Sequence, residues 1–356
     1  MDNYLSQKFK AFSFILMIMV VFIHSNNTVI NTLNGDIVIM IGFSYFIQYF
    51  VTEGITRVAV PIFFIMSGYL FFYNIKGTFI EFKNKYKTRI RTLVIPYIFW
   101  SLCGILIYSI LQTIPESKPF FVNELIKDYS FSKLFQTIFI NPLTFQFWFV
   151  RDLIVLTLVS PIIFKLVKTL KSIILVLILI AWLLNFNFIF FYDESYLFFI
   201  LGAYIGLLKR NLLHIQISEK SNIILVCIWL LIVFYHTYLL YINYKNDTLL
   251  ILIQKSSILI GIISLWNLYE SRMINNFITS EKYNRLFSFS FFVFAFHEPL
   301  LLIIKKFTFY FLGKSDFMSL NIFILAPLIT ISLGLTLGYY LKIYFPKLYN
   351  FIVGGR

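Results

Sequence analysis

Charge is what this sequence has least of. Asp, Glu, Lys and Arg make up 13% of its 356 residues, about half the share of an ordinary soluble domain. Apolar residues reach 60% and the mean hydropathy is +0.84. Surface-to-volume scaling leaves too much of such a chain at the surface for one soluble core to hide. A soluble globular domain is therefore excluded, and the solvent for most of the chain must be lipid. Cysteine is scarce too. Cys103 and Cys227 each fall inside an apolar run, which speaks against a disulfide framework or a cysteine metal site. Acidic residues number 16 against 30 basic ones, for a net charge of +14. The basic residues lie between apolar runs, a pattern of membrane orientation rather than of nucleic-acid binding. The first apolar run lacks a small-x-small exit, so it reads as a retained helix and not a cleaved signal.

What is present in excess is apolar runs near the ~20 residues that cross a ~30 Å hydrocarbon core. Ten spans can be read, at about 11–30, 57–75, 93–113, 147–165, 172–191, 195–208, 222–241, 248–269, 286–304 and 319–344. The apolar segment 36–52 is interrupted by Glu53 and Gly54 and reads as interfacial or re-entrant. With the N-terminus inside and 36–52 not crossing, 20 of the 30 basic residues fall on inner segments and seven on outer ones. That bias favours ten spans with both termini cytoplasmic. The loop at about 114–146 is long enough for a short amphipathic helix. The expected fold is an all-α polytopic membrane protein, about ten transmembrane helices plus one short interfacial or re-entrant helix, in a single domain over residues 1–356. Gly202/Gly206 and Gly334/Gly338 repeat the spacing found where helices pack closely. No internal repeat relates the two halves.

Ionisable groups within such spans are costly and usually face a cavity or one another. His24 lies about 14 residues into the first span, roughly 20 Å along it. It is either an interfacial histidine or a working base. Arg57 opens the second span, ahead of Pro61, whose missing N–H frees a carbonyl and bends a helix. Arg57 either snorkels to the interface or serves a site. Lys85, Lys87, Arg89 and Arg91 precede the third span. They set topology and touch anionic membrane lipids, or they clamp the phosphates of a cytosolic cofactor. Arg151 and Asp152 are neighbours in sequence, so on a helix they point to different faces, and each wants a partner elsewhere. His297 and Glu298 sit mid-span before Pro299, which is expected to break the helix. Lys255 is also mid-span and could pair with Asp152 or Glu298. His214 and His236 lie at or near loop ends and read as structural.

The order of these segments carries a resemblance. "VVFIHS", "VAVPIFFIMSGYLF", "KTRIRTLVIPYIFWS", "FWFVRDLIVLTLVSP", "YLFFILGAYIG" and "SFSFFVFAFHEPLL" together are similar to the acyltransferase-3 family of bacterial integral-membrane acyltransferases. The likeness runs over about residues 8 to 345, and it is strongest to the short members described as surface-polysaccharide O-acetyltransferases. The resemblance implies an acyl donor, acyl-CoA and usually acetyl-CoA, and an acceptor hydroxyl on a surface glycan or lipid-linked sugar. It implies a bacterial plasma-membrane enzyme. Within it His24 matches the catalytic histidine, Arg57 the arginine before "PxFFxxSG", and Arg89 and Arg91 the basic run before span three. One position departs. Many members carry Arg or Lys eleven residues before the histidine, where this chain has Ser13. Lys10 lies fourteen residues before His24 and still falls on roughly the same helix face, about 40° away.

The chemistry expected is proton removal from an acceptor hydroxyl by His24, directly or with His24 briefly acylated. Glu298 or Asp152 could orient the imidazole, and Arg57 or Arg151 could stabilise the oxyanion. Lys10, Lys87, Arg89 and Arg91 are the candidates for holding the donor. No metal is called for. A glycan-precursor transporter or flippase shares the buried charges, though no matching broken helices relate the halves. A membrane sensor or scaffold would leave those charges without a use.

Overall fold

The computed structural model describes residues 2–33, 35–38, 41–186, 193–270, 285–313 and 315–355. Arg272, Lys282, Lys314 and Arg356, used in the charge count, and the end of the expected 172–191 span lie outside the described residues. Helix dominates, and the described strands are only the two-residue partners β1 (Val29–Ile30) and β2 (Ile37–Val38), paired antiparallel.

Helix α1 (Asn3–Ser25) begins at Asp2, whose carboxylate accepts from the Leu5 amide at 2.7 Å. This is an ordinary N-cap that satisfies one otherwise orphaned donor. Helix α2 (Phe43–Phe72) is a single 30-residue run. The expected separate helix at 36–52 is therefore corrected: its second half is the beginning of α2. Within α2 the backbone widens to a π-turn at Phe50–Gly54 and tightens to a 3-10 turn at Ile55–Val58 before Ala59–Phe72 resumes α-geometry. Pro61 bears on the 3-10 turn, because it cannot donate to the carbonyl four residues back, that of Arg57. Glu53 and Gly54 interrupt the apolar pattern without ending the helix.

Helix α3 (Phe79–Leu111) repeats the device, with a π-turn at Ile90–Val94 ahead of Pro96. It starts in a capping box, Thr78 and Glu81 each bonding the other's backbone N–H. The long loop that follows holds the short amphipathic helix α4 (Phe131–Phe139), as expected.

The expected span 147–165 is a bent pair of helices rather than one straight one. Helices α5 (Trp148–Leu158) and α6 (Ser160–Leu170) meet at Val159, and the Phe145–Leu158 and Ser160–Leu170 segments are bent by 67°. Pro161 sits in the first turn of α6, where a proline's missing N–H costs least. Then come α7 (Ser172–Leu183), α8 (Asp193–Leu208), α9 (Glu219–Tyr241), α10 (Asp247–Leu268), α11 (Ser290–Leu312), α12 (Asp316–Tyr344) and the short α13 (Pro346–Val353). Six described helices are long and apolar enough to cross a membrane, seven if the bent pair counts as one span.

Two packing devices position the site. First, α2 and α8 touch backbone to backbone. A Cβ on Gly68 would lie 2.2 Å from the Phe199 carbonyl oxygen, and one on Gly202 would lie 2.1 Å from that of Ile65. Glycine is what permits so close an approach. Gly334 and Gly338 meet Val293, Phe296 and Phe292 of α11 and Phe289 just before it, so both expected glycine pairs lie at helix contacts. Second, a buried polar knot pins the far end of α1. Gln48 accepts from the Asn27 amide at 2.9 Å and donates to Asn27 Oδ1 and Ser319 Oγ at 3.0 and 2.8 Å. It ties the residues just after His24 to α2 and α12. In that setting a buried amide needs such partners, since an unmet polar group costs roughly 1–3 kcal/mol.

Candidate active site

His24 is the next-to-last residue of α1. Its side chain lines a cavity of ≈ 280 Å³ with Arg57, Gln146, Glu194, Trp148 and Phe149 among its walls. Arg57 reaches this cavity from the 3-10 turn of α2. Its guanidinium donates from Nε to Glu53 Oε2 at 2.9 Å, with a second bond from Nη2 to the same oxygen. Gln254 Nε2 also donates to that oxygen, at 3.2 Å. A fixed arginine beside an imidazole provides the pair that acyl transfer asks for: a proton acceptor, and a cation for the oxygen that gains charge.

His297 comes up behind His24. The two ring centroids are 5.3 Å apart, inclined at 45°. His297 is fully buried, and its Nδ1 lies 2.6 Å from the Phe294 carbonyl. A carbonyl can only accept, so Nδ1 carries the proton and Nε2 is left as an acceptor. That Nε2 is buried and has no hydrogen-bond partner among the described residues. The helix breaks at the next residue, as Pro299 led one to expect: Glu298 has φ −106° and ψ 135°. Gln146 Nε2 sits 3.4 and 3.5 Å from the Ala295 and Glu298 carbonyls, two backbone acceptors at the break.

A second cavity, of ≈ 510 Å³, lies next to the first and is lined by Lys10, Ser13, Ser67 and Arg89. Phe63, Phe149 and Phe294 line both cavities. Lys10 and Ser13 thus share a wall, as their helical spacing suggested. The Ser13 hydroxyl is turned back onto the Phe9 carbonyl at 2.8 Å.

Several expected residues are elsewhere. Arg151 and Asp152 line neither cavity. The expectation that they are poorly placed to pair with each other is corrected: Arg151 Nε and Nη2 both donate to Asp152 Oδ1, at 3.0 and 2.8 Å. The long arginine side chain folds back around the helix to its neighbour, which the spacing of Cα–Cβ directions alone did not allow for. Asp152 also accepts from Ser195 at 2.5 Å, and Arg151 donates to the Ile140 carbonyl at 2.9 Å. The pair therefore joins α5 to α8 and to the end of α4. Lys255 meets neither Asp152 nor Glu298 but donates to the Trp182 carbonyl and, at 2.5 Å, to Asn185 Oδ1.

Glu298 is 9% exposed, yet among the described residues no hydrogen bond joins it or Asp152 to either histidine, and neither lines the His24 cavity. The orienting role expected of them is thus not met by contact. Lys87 is exposed and lines neither cavity. Arg91 lines a separate recess with Lys347 and Asn350, against α13, two residues beyond Arg89 and on another face. His214 lies 3.4 Å from Asp2 at the opposite end of α1, and His236 is buried at 4% exposure in α9.

Two site residues escaped the sequence reading. Glu194 lies one residue before the expected start of its span, 195–208. Gln146 lies one residue before another. A carboxylate and an amide placed at span entrances were the available signal.

The acyltransferase-3 model, described as an acyltransferase domain, matches residues 11–342. Comparison with curated proteins and with solved structures finds no match. The matched range takes in α2 to α11 whole, most of α1 and α12, and every residue lining the two cavities except Lys10. Apolar helices carrying a histidine, an arginine and two adjoining cavities thus coincide with a family match over essentially the whole chain, and the protein belongs to the acyltransferase-3 family, as a multi-pass membrane acyltransferase.

Proposed function

We propose that the chain moves an acyl group, acetyl above all, from cytosolic acyl-CoA to a hydroxyl of a surface glycan or lipid-linked sugar. One observation carries this reading. The Lys10–Arg89 cavity and the His24–Arg57 cavity lie end to end and share three phenylalanines. CoA is a polyphosphate nucleotide with a long arm ending in a thioester. Its phosphates suit the basic mouth formed by Lys10 and Arg89. Its arm suits the apolar passage toward His24, about 21 Å along α1 from Lys10.

In the step proposed, the acceptor hydroxyl oxygen attacks the thioester carbonyl while His24 takes its proton. Arg57 stands at the cavity to stabilise the tetrahedral oxyanion. The C–S bond then breaks, and the departing CoA thiolate takes the proton from the imidazolium. A ping-pong form, with acyl-His24 between two such steps, uses the same groups. The two forms differ in whether labelled acyl group stays on His24 when acceptor is withheld.

The setting proposed is a bacterial plasma membrane with both termini cytoplasmic, supported by the charge bias of 20 inner to seven outer basic residues. Ten spans result if the six long helices and the bent pair are joined by α7, α8 and α11. Two measurements test the reading. Membranes bearing the His24→Ala chain should lose transfer from acetyl-CoA; unchanged turnover sinks both forms of the mechanism. The surface glycan of cells with the protein should be heavier than that of cells without it by the mass of one acyl substituent per modified sugar. Uptake of a glycan precursor into vesicles in the absence of acyl-CoA would instead favour transport.

A further inference from the structure

A third cavity, of ≈ 400 Å³, opens at the end of the bundle where α1 terminates. Neither Lys305 nor Lys306 on its wall entered the catalytic reading above. Lys305 is 8% exposed. It donates to the His24 carbonyl and, at 3.1 Å, to that of Asn26. Lys306 donates to the Phe120 carbonyl at 3.1 Å, and its Nζ lies 5.2 Å from the Phe120 ring centroid. An ammonium has three donors. Two are used on Lys305 and one on Lys306, which leaves three N–H bonds for an occupant of the cavity. Among the described residues neither lysine forms an ion pair with a carboxylate.

The acids nearby do not cancel this charge by contact. Glu124 lines the same cavity but is bonded to Lys133, and that bond holds the Lys133 ammonium above the usual lysine range. Glu298, buried seven residues before Lys305 on α11, interacts electrostatically with both lysines but forms no ion pair with either among the described residues and does not line the cavity. The rest of the wall includes Tyr108, Tyr129, Gln112 and Asn123. Phenol rings with polar tips and neutral amides are suited to a polyhydroxylated ligand.

We propose that this cavity binds the acceptor, and that the acceptor is anionic: a sugar bearing a phosphate or carboxylate, held by Lys305 and Lys306 beside the backbone of His24. Buried, charge-assisted hydrogen bonds are the strong ones, and a buried cation with donors to spare is matched by an anion. The proposal rests on the acyltransferase reading for the word acceptor, but not for the binding itself. The anion could belong to the sugar or to a lipid phosphate linker, and the two sources are separable.

The test is equilibrium binding to the full chain purified in detergent, with no acyl donor present. The probes are glucose 1-phosphate against glucose, and farnesyl phosphate against farnesol. At least one phosphate should bind about tenfold or more tightly than its neutral counterpart, and which pair shows the preference names the source. Lys306→Gln should abolish the preference and Lys306→Arg should keep it. Lys306 is the residue to change, because Lys305 also caps the end of α1. Equal binding within both pairs, or a preference that survives Lys306→Gln, overturns the proposal. A chain that shows the Lys306-dependent preference but transfers no acyl group overturns the acyltransferase reading instead.

Discussion

His24 and His297 stand with their ring centroids 5.3 Å apart, one imidazole open to a cavity and the other buried behind it. The Phe294 carbonyl fixes the Nδ1 proton of His297, and Nε2 has no hydrogen-bond partner among the described residues. If the pair works as a unit, losses at the two positions will not add. His24→Ala should lower kcat by about 10²–10⁴. His297→Ala should lower it by roughly 10–100-fold, and the double variant should be no worse than His24→Ala alone. Additive losses would mean that His297 only fills space.

Arg57 is the sole cation lining the His24 cavity among the described residues. Arg57→Gln should cut kcat by about 10²–10³ while changing the KM for the donor little. Glu53→Gln should give a milder loss, because it loosens the guanidinium without removing it. A KM rise in Arg57→Gln at constant kcat would make Arg57 a binding residue and not an oxyanion partner.

The donor end poses a question of substitution. Lys10 and Ser13 line one wall with Arg89, and the family commonly has its cation where Ser13 stands. Lys10→Gln should raise the donor KM about tenfold, or ~1.4 kcal/mol. Adding Ser13→Lys should restore much of that loss, because the new ammonium enters the same cavity one turn nearer His24. Failure of Ser13→Lys to recover any affinity would remove Lys10 from the donor site.

Phe63, Phe149 and Phe294 form the wall common to both cavities, with the Phe149 ring centroid 5.6 Å from that of Phe63 and 6.0 Å from that of Phe294. A thioester reaching His24 must pass them, and so must any water moving the other way. Phe149→Ala should therefore raise hydrolysis of acyl-CoA in the absence of acceptor, several-fold over the intact chain, while lowering productive transfer. Free CoA release measured with and without acceptor separates the two. Equal release in the two chains would show that the rings do not separate the compartments.

Much of this was legible in the sequence because lipid imposes simple rules. Apolar length marked the helices, and Pro61 and Pro299 marked where they would distort. The fused α2 was not legible, since Glu53 and Gly54 look like an interruption. In the fold Glu53 is occupied by Arg57, one turn on, and the helix continues through a π-turn. The Arg151–Asp152 pair was missed for a related reason: spacing rules follow Cβ directions, whereas a guanidinium on four rotatable bonds can reach its neighbour. Glu194 was lost at a boundary error of one residue. Lys305 is one of the seven basic residues that the charge count assigns to outer segments, yet it is buried against the His24 carbonyl, because charge counting cannot see a cavity.

Gly202 gives the most direct test of how the frame supports the site. Helices α2 and α8 carry Arg57 and Glu194 to the His24 cavity, and they meet through Gly68 and Gly202. A Cβ at Gly202 would sit 2.1 Å from the Ile65 carbonyl oxygen and 2.9 Å from the Tyr69 amide nitrogen. These are backbone atoms, so nothing can swing aside and the helices must part. Overpacking of this kind costs about 1–3 kcal/mol in a close-packed interior. Gly202→Ala should lower the melting temperature in detergent by several degrees and lower kcat as well, since Arg57 and Glu194 move with their helices. Gly334→Ala is the control: its Cβ would meet only side-chain atoms, the nearest at 3.3 Å on Val293. If Gly202→Ala melts and turns over like Gly334→Ala, the close contact between α2 and α8 is not what sets the geometry of the site.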